Sequence, residues 1–342
     1  MFHPAIERFL KMTAATYPGA TRARAALQTL LHWTDAAENP WGASTLSMPG
    51  FPVEMAFSTA GRSLRYCVEV ADPSTDPRQR LATATAVLSQ MSTVAPDSDV
   101  LNRLSILQAD CLLKYGAWIG GRHTGDFDRF KLYAEVPIAA ARAADAWSAE
   151  LSGLGHDVAQ HARVEMIGYD PAARRLEFYR RARNQSPVSI RLVMRRLRLE
   201  SCTEELFDLL QRAHRFSLAG RLPSSDCGYS ESLSQDGAPT IFSLYFFARS
   251  LFGGDGSIRA AVLRLAAECG WDLADYDVIS EPLVGVVGPV TRHGMFCLAV
   301  GPQSAPAITL GLVPPTVARP TESVTVLPCT LEASRPLCPA SR

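Results

Sequence analysis

The sequence predicts an α+β fold in which a ten-stranded antiparallel barrel with a polar lumen is surrounded by helices. From about residue 50 to residue 315, pairs of strand-like segments alternate with helical stretches five times over. Within each pair the second strand is apolar at every other position and mostly polar or aromatic between. Helices follow strand pairs rather than single strands. That separates the pattern from an eight-stranded parallel barrel, where each strand is followed by its own helix.

The first 45 residues read as one or two helices covering the barrel, with Asn39-Pro40-Trp41-Gly42 as a breaker. FPVEMAFS (51–58) and LRYCVEVA (64–71) form a hairpin around Ala60-Gly61, and helical periodicity follows in 77–91 and 100–113. YGAWIGG (115–121) and FKLYAEVP (130–137) are the second pair, followed by a helix over 139–155. HARVEMIGYD (161–170) and RRLEFYRRA (174–182), joined by a Pro-Ala turn, are the third, with helices over 189–199 and 202–216. DCGYSESLS (226–234) and TIFSLYFFA (240–248) are the fourth, with a helix over 257–273. HGMFCLAVG (293–301) and AITLGLVPP (307–315) are the fifth, preceded by VISEPLVGVV (278–287), which fits neither period. No linker divides residues 1–315, read as one domain, whereas 316–342 is Pro-rich and aperiodic and reads as a disordered tail.

The alternation assigns faces. Leu64, Tyr66 and Val68, Leu132, Ala134 and Val136, Leu176 and Phe178, Leu244 and Phe246, and Ile308, Leu310 and Leu312 should point outward at the helices. The opposite register places Arg65, Cys67, Glu69, Lys131, Tyr133, Glu135, Arg175, Glu177, Tyr179, Ser243, Tyr245 and Phe247 in the lumen. Glu54 should face inward too, since Val53 and Met55 suit the helix side.

Lys plus Arg and Asp plus Glu are 34 each, so no bulk field gathers nucleic acid or an anionic membrane. Any anion site must be local. The N-terminal segment has no apolar core of signal-peptide length and no run matches a membrane span, so a cytoplasmic protein is expected. Eight cysteines stand singly and suit reduced thiols, and the seven histidines form no HExxH; His156 and His161 read as loop residues flanking a strand start. GGDGSIR (253–259) lacks the third glycine of a dinucleotide turn, leaving Asp255 or Ser257 as a helix cap. Arg191, Arg195, Arg196 and Arg198 read as a solvated helix face.

A lumen holding Arg65, Lys131 and Arg175 can grip a diphosphate through charge-assisted hydrogen bonds. Tyr133, Tyr179 and Tyr245 beside them could stabilise an allylic carbocation by cation–π attraction and exclude water. The hairpin with Glu54 and Arg65, eleven positions apart (65 − 54), resembles the first repeat of the dimethylallyltryptophan synthase family of ABBA aromatic prenyltransferases. FKLYAEVP resembles that family's K-x-Y strand (Lys131, Tyr133), RRLEFY its R-x-K-x-Y strand (Arg175, Tyr179) and FSLYF its Q-x-Y strand (Tyr245).

The resemblance implies the PT-barrel fold and transfer of an allylic isoprenoid, dimethylallyl or geranyl, from its diphosphate to an indole-like or other electron-rich aromatic. Glu54 would be the catalytic carboxylate. It implies no required cofactor, with magnesium at most stimulatory, in keeping with the lack of a DDxxD string. Glu177 stands where the family has lysine, Ser243 replaces glutamine, and Thr309 and Gly311 replace tyrosines. Arg163 is a candidate to restore the missing charge, while Trp118 and Lys114 lie near the position of a further family lysine. The chain is shorter than the fungal enzymes, which suggests a bacterial branch. Peptide side-chain prenylation and non-catalytic binding of an isoprenoid or other amphiphile are the alternatives.

Overall fold

Ten strands close into one antiparallel barrel, each paired with its neighbours in sequence and the first with the last. They are β1 (Val53–Ser58), β2 (Leu64–Glu69), β3 (Ala117–His123), β4 (Asp128–Glu135), β5 (Ala162–Asp170), β6 (Arg175–Arg183), β7 (Asp226–Ser234), β8 (Pro239–Phe247), β9 (His293–Gly301) and β10 (Ser304–Leu312). Closure removes the unpaired edges an open sheet would carry. All five β-hairpin connections lie at one end, called here the hairpin end; the helical connections lie at the other, the helix end. The computed structural model describes residues 2–316 apart from 154–161, 216, 219, 235–238 and 303. His156, His161 and residues 317–342 of the expected tail lie outside the described residues.

Helices α1 (Pro4–Thr13) and α2 (Ala20–Leu30) precede the barrel, as expected of the first 45 residues. Between strand pairs come α3 (Pro77–Met91) and α4 (Ser98–Gln108), α5 (Ala141–Ser152), α6 (Pro187–Arg196) and α7 (Thr203–His214), and then α8 (Ala248–Phe252), α9 (Asp255–Cys269) and α10 (Ala274–Ile279). α3 shows why they form and where they pack. Pro77 opens it behind Asp76, whose carboxylate accepts the Arg78 N–H, and Leu81, Ala84, Val87 and Leu88 bury one stripe against β3 and β4.

The outward register is as expected. Val68, Leu132, Phe178, Leu244, Phe246 and Leu312 are fully buried between barrel and helices, each contributing about 1.5–3 kcal/mol if wholly removed from water.

Three local expectations are corrected. α4 ends at Gln108, short of 113, because Ala109 is extended and Asp110 takes a left-handed φ of 55°. Residues 278–287 divide into the end of α10, a 3-10 turn at Glu281–Leu283 and an exposed loop. The cap of α9 is Gly254 rather than Asp255 or Ser257; Asp255 instead accepts the Arg292 and His293 N–H groups and pairs with His293 Nδ1 at 2.6 Å. It thereby ties α9 to the start of β9.

Glu69 and Glu135, expected in the lumen, do not line it. Glu69 is sealed at the helix end by Arg80 (3.1 Å) and Ser44 (2.9 Å), and Glu135 accepts the N–H groups of Lys114, Tyr115 and Gly116 at 2.7–2.9 Å. Their register is right, but α3 and the 114–116 turn reach across and consume both carboxylates. Alternation along a strand cannot reveal such tertiary partners.

Candidate active site

The barrel encloses a cavity of about 670 Å³, a size that suits a small-molecule site. Inward residues descend from the hairpin end as Arg65 then Cys67 on β2, Arg129, Lys131 and Tyr133 on β4, and Arg175, Glu177 and Tyr179 on β6. Each step is two residues, roughly 7 Å along the strand. The three strands therefore present a guanidinium layer above a layer with one ammonium and one carboxylate.

At the hairpin end Arg65 faces Arg122 across β2 and β3, Arg122 faces Arg129 across β3 and β4, and Arg175 opens β6 opposite Asp170. Directly opposed like charges destabilise a sheet, so the row is a cost that a bound anion would relieve. The arginines' own contacts do little to relieve it. Arg65 donates to Ser63 Oγ (2.8 Å) and the Ala60 carbonyl (3.4 Å), Arg129 lies over the Phe127 ring (4.7 Å), and Arg122 Nε is buried without a partner.

Among the described residues none of the four forms an ion pair. Burial, then Arg122, pushes Arg65 down to about 10. Burial, Arg129 and Arg175 push Arg122 down against the opposing pull of Asp170. Arg65 and Arg122 nevertheless remain cations at neutral pH, since guanidinium does not deprotonate in proteins.

One step lower, the Lys131 ammonium binds Glu177 Oε2, donates to Tyr179 Oη (2.9 Å) and lies over the rings of Tyr133 (5.0 Å) and Tyr179 (5.1 Å). Lys131 and Glu177 are separated by β5, and the stem of Lys131 crosses that strand at Gly168, where a Cβ would strike Lys131 Cε. Ser230 donates to Glu177 Oε1 (2.6 Å). Burial alone would raise the Glu177 carboxyl, but Lys131, Ser230 and Arg175 override it and hold it at about 2. Glu177, which stands where the resemblance implies a lysine, thus neutralises Lys131.

Tyr133, Tyr179 and Tyr245 form a belt with successive ring centroids 5.9 and 6.2 Å apart. Tyr245 donates to the Arg180 carbonyl (2.9 Å), its ring filling the space left by the absent side chain of Gly228. Tyr115 and Trp118 stack at 3.8 Å beside the belt, Trp118 being the cross-strand partner of Tyr133.

Glu54 points inward from β1, opposite Cys67. Its carboxylate lies on the backbone of Gly294 and Gly311, where any Cβ would overlap it. Gly311 is therefore not merely a lost tyrosine. A register shift between Leu310 and Leu312 bulges the β9–β10 pair at this point, as commonly happens beside functional groups. Among the described residues Glu54 has no hydrogen-bond or ion-pair partner, so it does not pair with Arg65, and burial raises it to about 7.

The sequence-predicted Arg65, Lys131, Arg175, Tyr133, Tyr179, Tyr245 and Glu54 all line the cavity. Arg163 does not; it lies near the helix end and is held by Glu165 (2.5 Å). A register shift between Val164 and Met166 turns Glu165 into the lumen, and Arg181 binds Asp226 at 2.6 Å. Trp118 lines the cavity, whereas Lys114 is exposed outside it. Arg122 and Arg129 were missed. Arg129 stands two residues before Lys131, and extending that strand by one turn of its alternation would have found it.

No protein-family model and no curated protein matches the sequence. Solved structures do match. Prenyltransferase PriB without ligand aligns at TM-score 0.72 and 18% identity, covering 90% of this chain and 93% of PriB. The fold is that of the ABBA prenyltransferases.

5-Dimethylallyltryptophan synthase from Streptomyces coelicolor, in complex with DMASPP and Trp, aligns at TM-score 0.69 and 19% identity over 95% of this chain and 96% of that one. 6-Dimethylallyltryptophan synthase from Micromonospora olivasterospora, with the same two ligands, aligns at 0.66 and 17% over 90% and 94%. Among the described residues no cluster of His, Cys, Asp and Glu could hold a metal ion, and no helix is long and apolar enough to cross a membrane.

Proposed function

We propose that this protein is an aromatic prenyltransferase that alkylates an indole-like acceptor with an allylic isoprenoid diphosphate. The observation that carries the reading is the row of unpaired guanidiniums from Arg65, Arg122, Arg129 and Arg175 facing a tyrosine belt inside a closed lumen. The row supplies charge-assisted donors for a diphosphate, and the belt supplies faces for the allyl group beneath it. Structural neighbours solved with tryptophan and a dimethylallyl thiolodiphosphate support the same substrate pair.

In this reading the donor's C1–O bond breaks and its electron pair leaves on the diphosphate, whose charge the arginines take up. Glu54, ionised, accepts the indole N–H and raises the ring's electron density as its π pair forms the new C–C bond. The proton on the substituted carbon passes to the released diphosphate. The guanidiniums already supply the positive charge, so turnover is expected without added metal.

Incubation with dimethylallyl diphosphate and a panel of indoles in chelator, read by mass spectrometry, should show acceptor gaining one prenyl unit. Donor retained without any alkylated product would instead identify an isoprenoid-binding barrel, the reading that Glu177, Thr309 and the ion-paired Lys131 favour.

A further inference from the structure

The ammonium of Lys131 occupies the place that an allylic cation needs. It sits over the faces of both Tyr133 and Tyr179, 5.0 and 5.1 Å from their centroids, and is held there by Glu177 and by Tyr179 Oη. A cage built to receive a cation is already filled by one. Two features make this placement more than a chance rotamer. Gly168 on the intervening strand leaves the track along which the Lys131 stem lies, and Ser230 anchors the far oxygen of Glu177 independently of Lys131. Glu177 therefore stays in position if Lys131 departs.

We infer that Glu177 is a further residue of the donor site, resting on the prenyltransferase reading: it parks Lys131 in the aromatic cage, then faces the allylic cation once Lys131 has left. Lys131 has two possible anionic partners, Glu177 beside it and a diphosphate one step above, in the layer of Arg129 and Arg175. Donor binding draws the ammonium upward and empties the faces of Tyr133 and Tyr179 for the isoprenoid. On ionisation the electron pair of the C1–O bond leaves with the diphosphate. Positive charge then develops at the allyl group between two aromatic faces and the freed Oε2 of Glu177. Glu177 opposes donor binding, since Lys131 must be detached, and favours ionisation.

The two roles have opposite signs in one variant. Glu177→Gln keeps the shape and the Ser230 contact but releases Lys131. Dimethylallyl thiolodiphosphate should bind it tighter, on the order of 3–10-fold by calorimetry, the scale of one weakened charge-assisted contact. Single-turnover prenylation should nevertheless slow by about tenfold or more, the loss of charge stabilisation made only in the transition state.

Gly168→Ala, whose Cβ would displace the Lys131 stem and also press the Tyr179 ring at 3.2 Å while leaving Glu177 in place, should tighten donor binding too, whatever the rate does. A purely structural ion pair would instead lower thermal stability and leave the affinity-to-rate split unmoved. Equal or weaker donor binding in both variants, with wild type binding normally, would overturn this inference alone. Failure of wild type to bind the donor analogue at all would remove the prenyltransferase reading with it.

Discussion

The two ends of the barrel treat charge in opposite ways. At the hairpin end Arg65, Arg122, Arg129 and Arg175 converge near Asp170, and among the described residues none of the four forms an ion pair; the other acid at hand, Asp128, is taken by Arg22 and His123. At the helix end Arg163 is matched to Glu165, Arg181 to Asp226 and Arg80 to Glu69. Charges are matched there, whereas the arginines above are left without ion-pair partners, the arrangement on which the proposed diphosphate site rests. Glu54 and Glu69 sharpen the contrast, because both are inward-register glutamates on adjacent strands. Burial raises both carboxyls, but Glu69 has Arg80 and Ser44 to oppose it while Glu54 has nothing and rises to about 7.

The largest expected effect tests the unmatched glutamate. Glu54→Gln should lower kcat by ~10²–10⁴ and spare donor affinity, the signature of hydrogen-bond acceptance made in the transition state. Wild-type single-turnover rate should climb with pH through about 7, as Glu54 ionises, and the Gln variant should lack that rise.

Stability should move the other way. A carboxyl whose folded pKa is about 7, against 4.5 when unfolded, binds its proton more tightly in the native state. Wild type therefore loses stability as pH rises from 4.5 to 7, and Glu54→Gln should melt higher than wild type at pH 8 but not at pH 4. Coincident melting curves at pH 8 would show that Glu54 is not buried and unpaired.

The matched end should respond in stability rather than binding. Arg80→Ala strands the Glu69 carboxylate, and loss of one partner of a buried pair costs about 3–5 kcal/mol, measurable by denaturant unfolding. Next in size, Arg65→Ala or Arg175→Ala should weaken donor-analogue binding by about 1.5–3 kcal/mol each without destabilising the fold, since each also removes like-charge repulsion. The smallest effect is expected from chelation. Turnover in EDTA should stay near its starting value, and complete loss restored by magnesium would mean that the guanidinium row does not by itself hold the diphosphate.

The period-two alternation of β2, β4, β6, β8 and β10 made the barrel and its inward register legible, and with them ten residues that line the cavity. What stayed hidden depends on groups distant in sequence. Glu69 and Glu135 follow the alternation faithfully, yet α3 and the 114–116 turn claim them. Lys131 and Glu177 meet only because Gly168, on the strand between, has no side chain. Arg163 looked like a spare cation, but the bulge after Val164 brings Glu165 to it. Arg122 escaped notice because it lies on the first strand of its pair, where no inward register had been assigned.

Arg122 and Arg163 bring the comparison to a single measurement. Both are partly buried arginines on neighbouring odd-numbered strands, but Arg122 lines the cavity at the hairpin end with no ion-pair partner among the described residues, whereas Arg163 lies outside it at the helix end, bound to Glu165. Calorimetric titration of dimethylallyl thiolodiphosphate into Arg122→Ala and Arg163→Ala should show a loss of about tenfold or more in the first, the scale of one charge-assisted contact, and none in the second. Equal affinities, or a larger loss at Arg163, would contradict the assignment of the diphosphate to the unmatched arginines of the hairpin end.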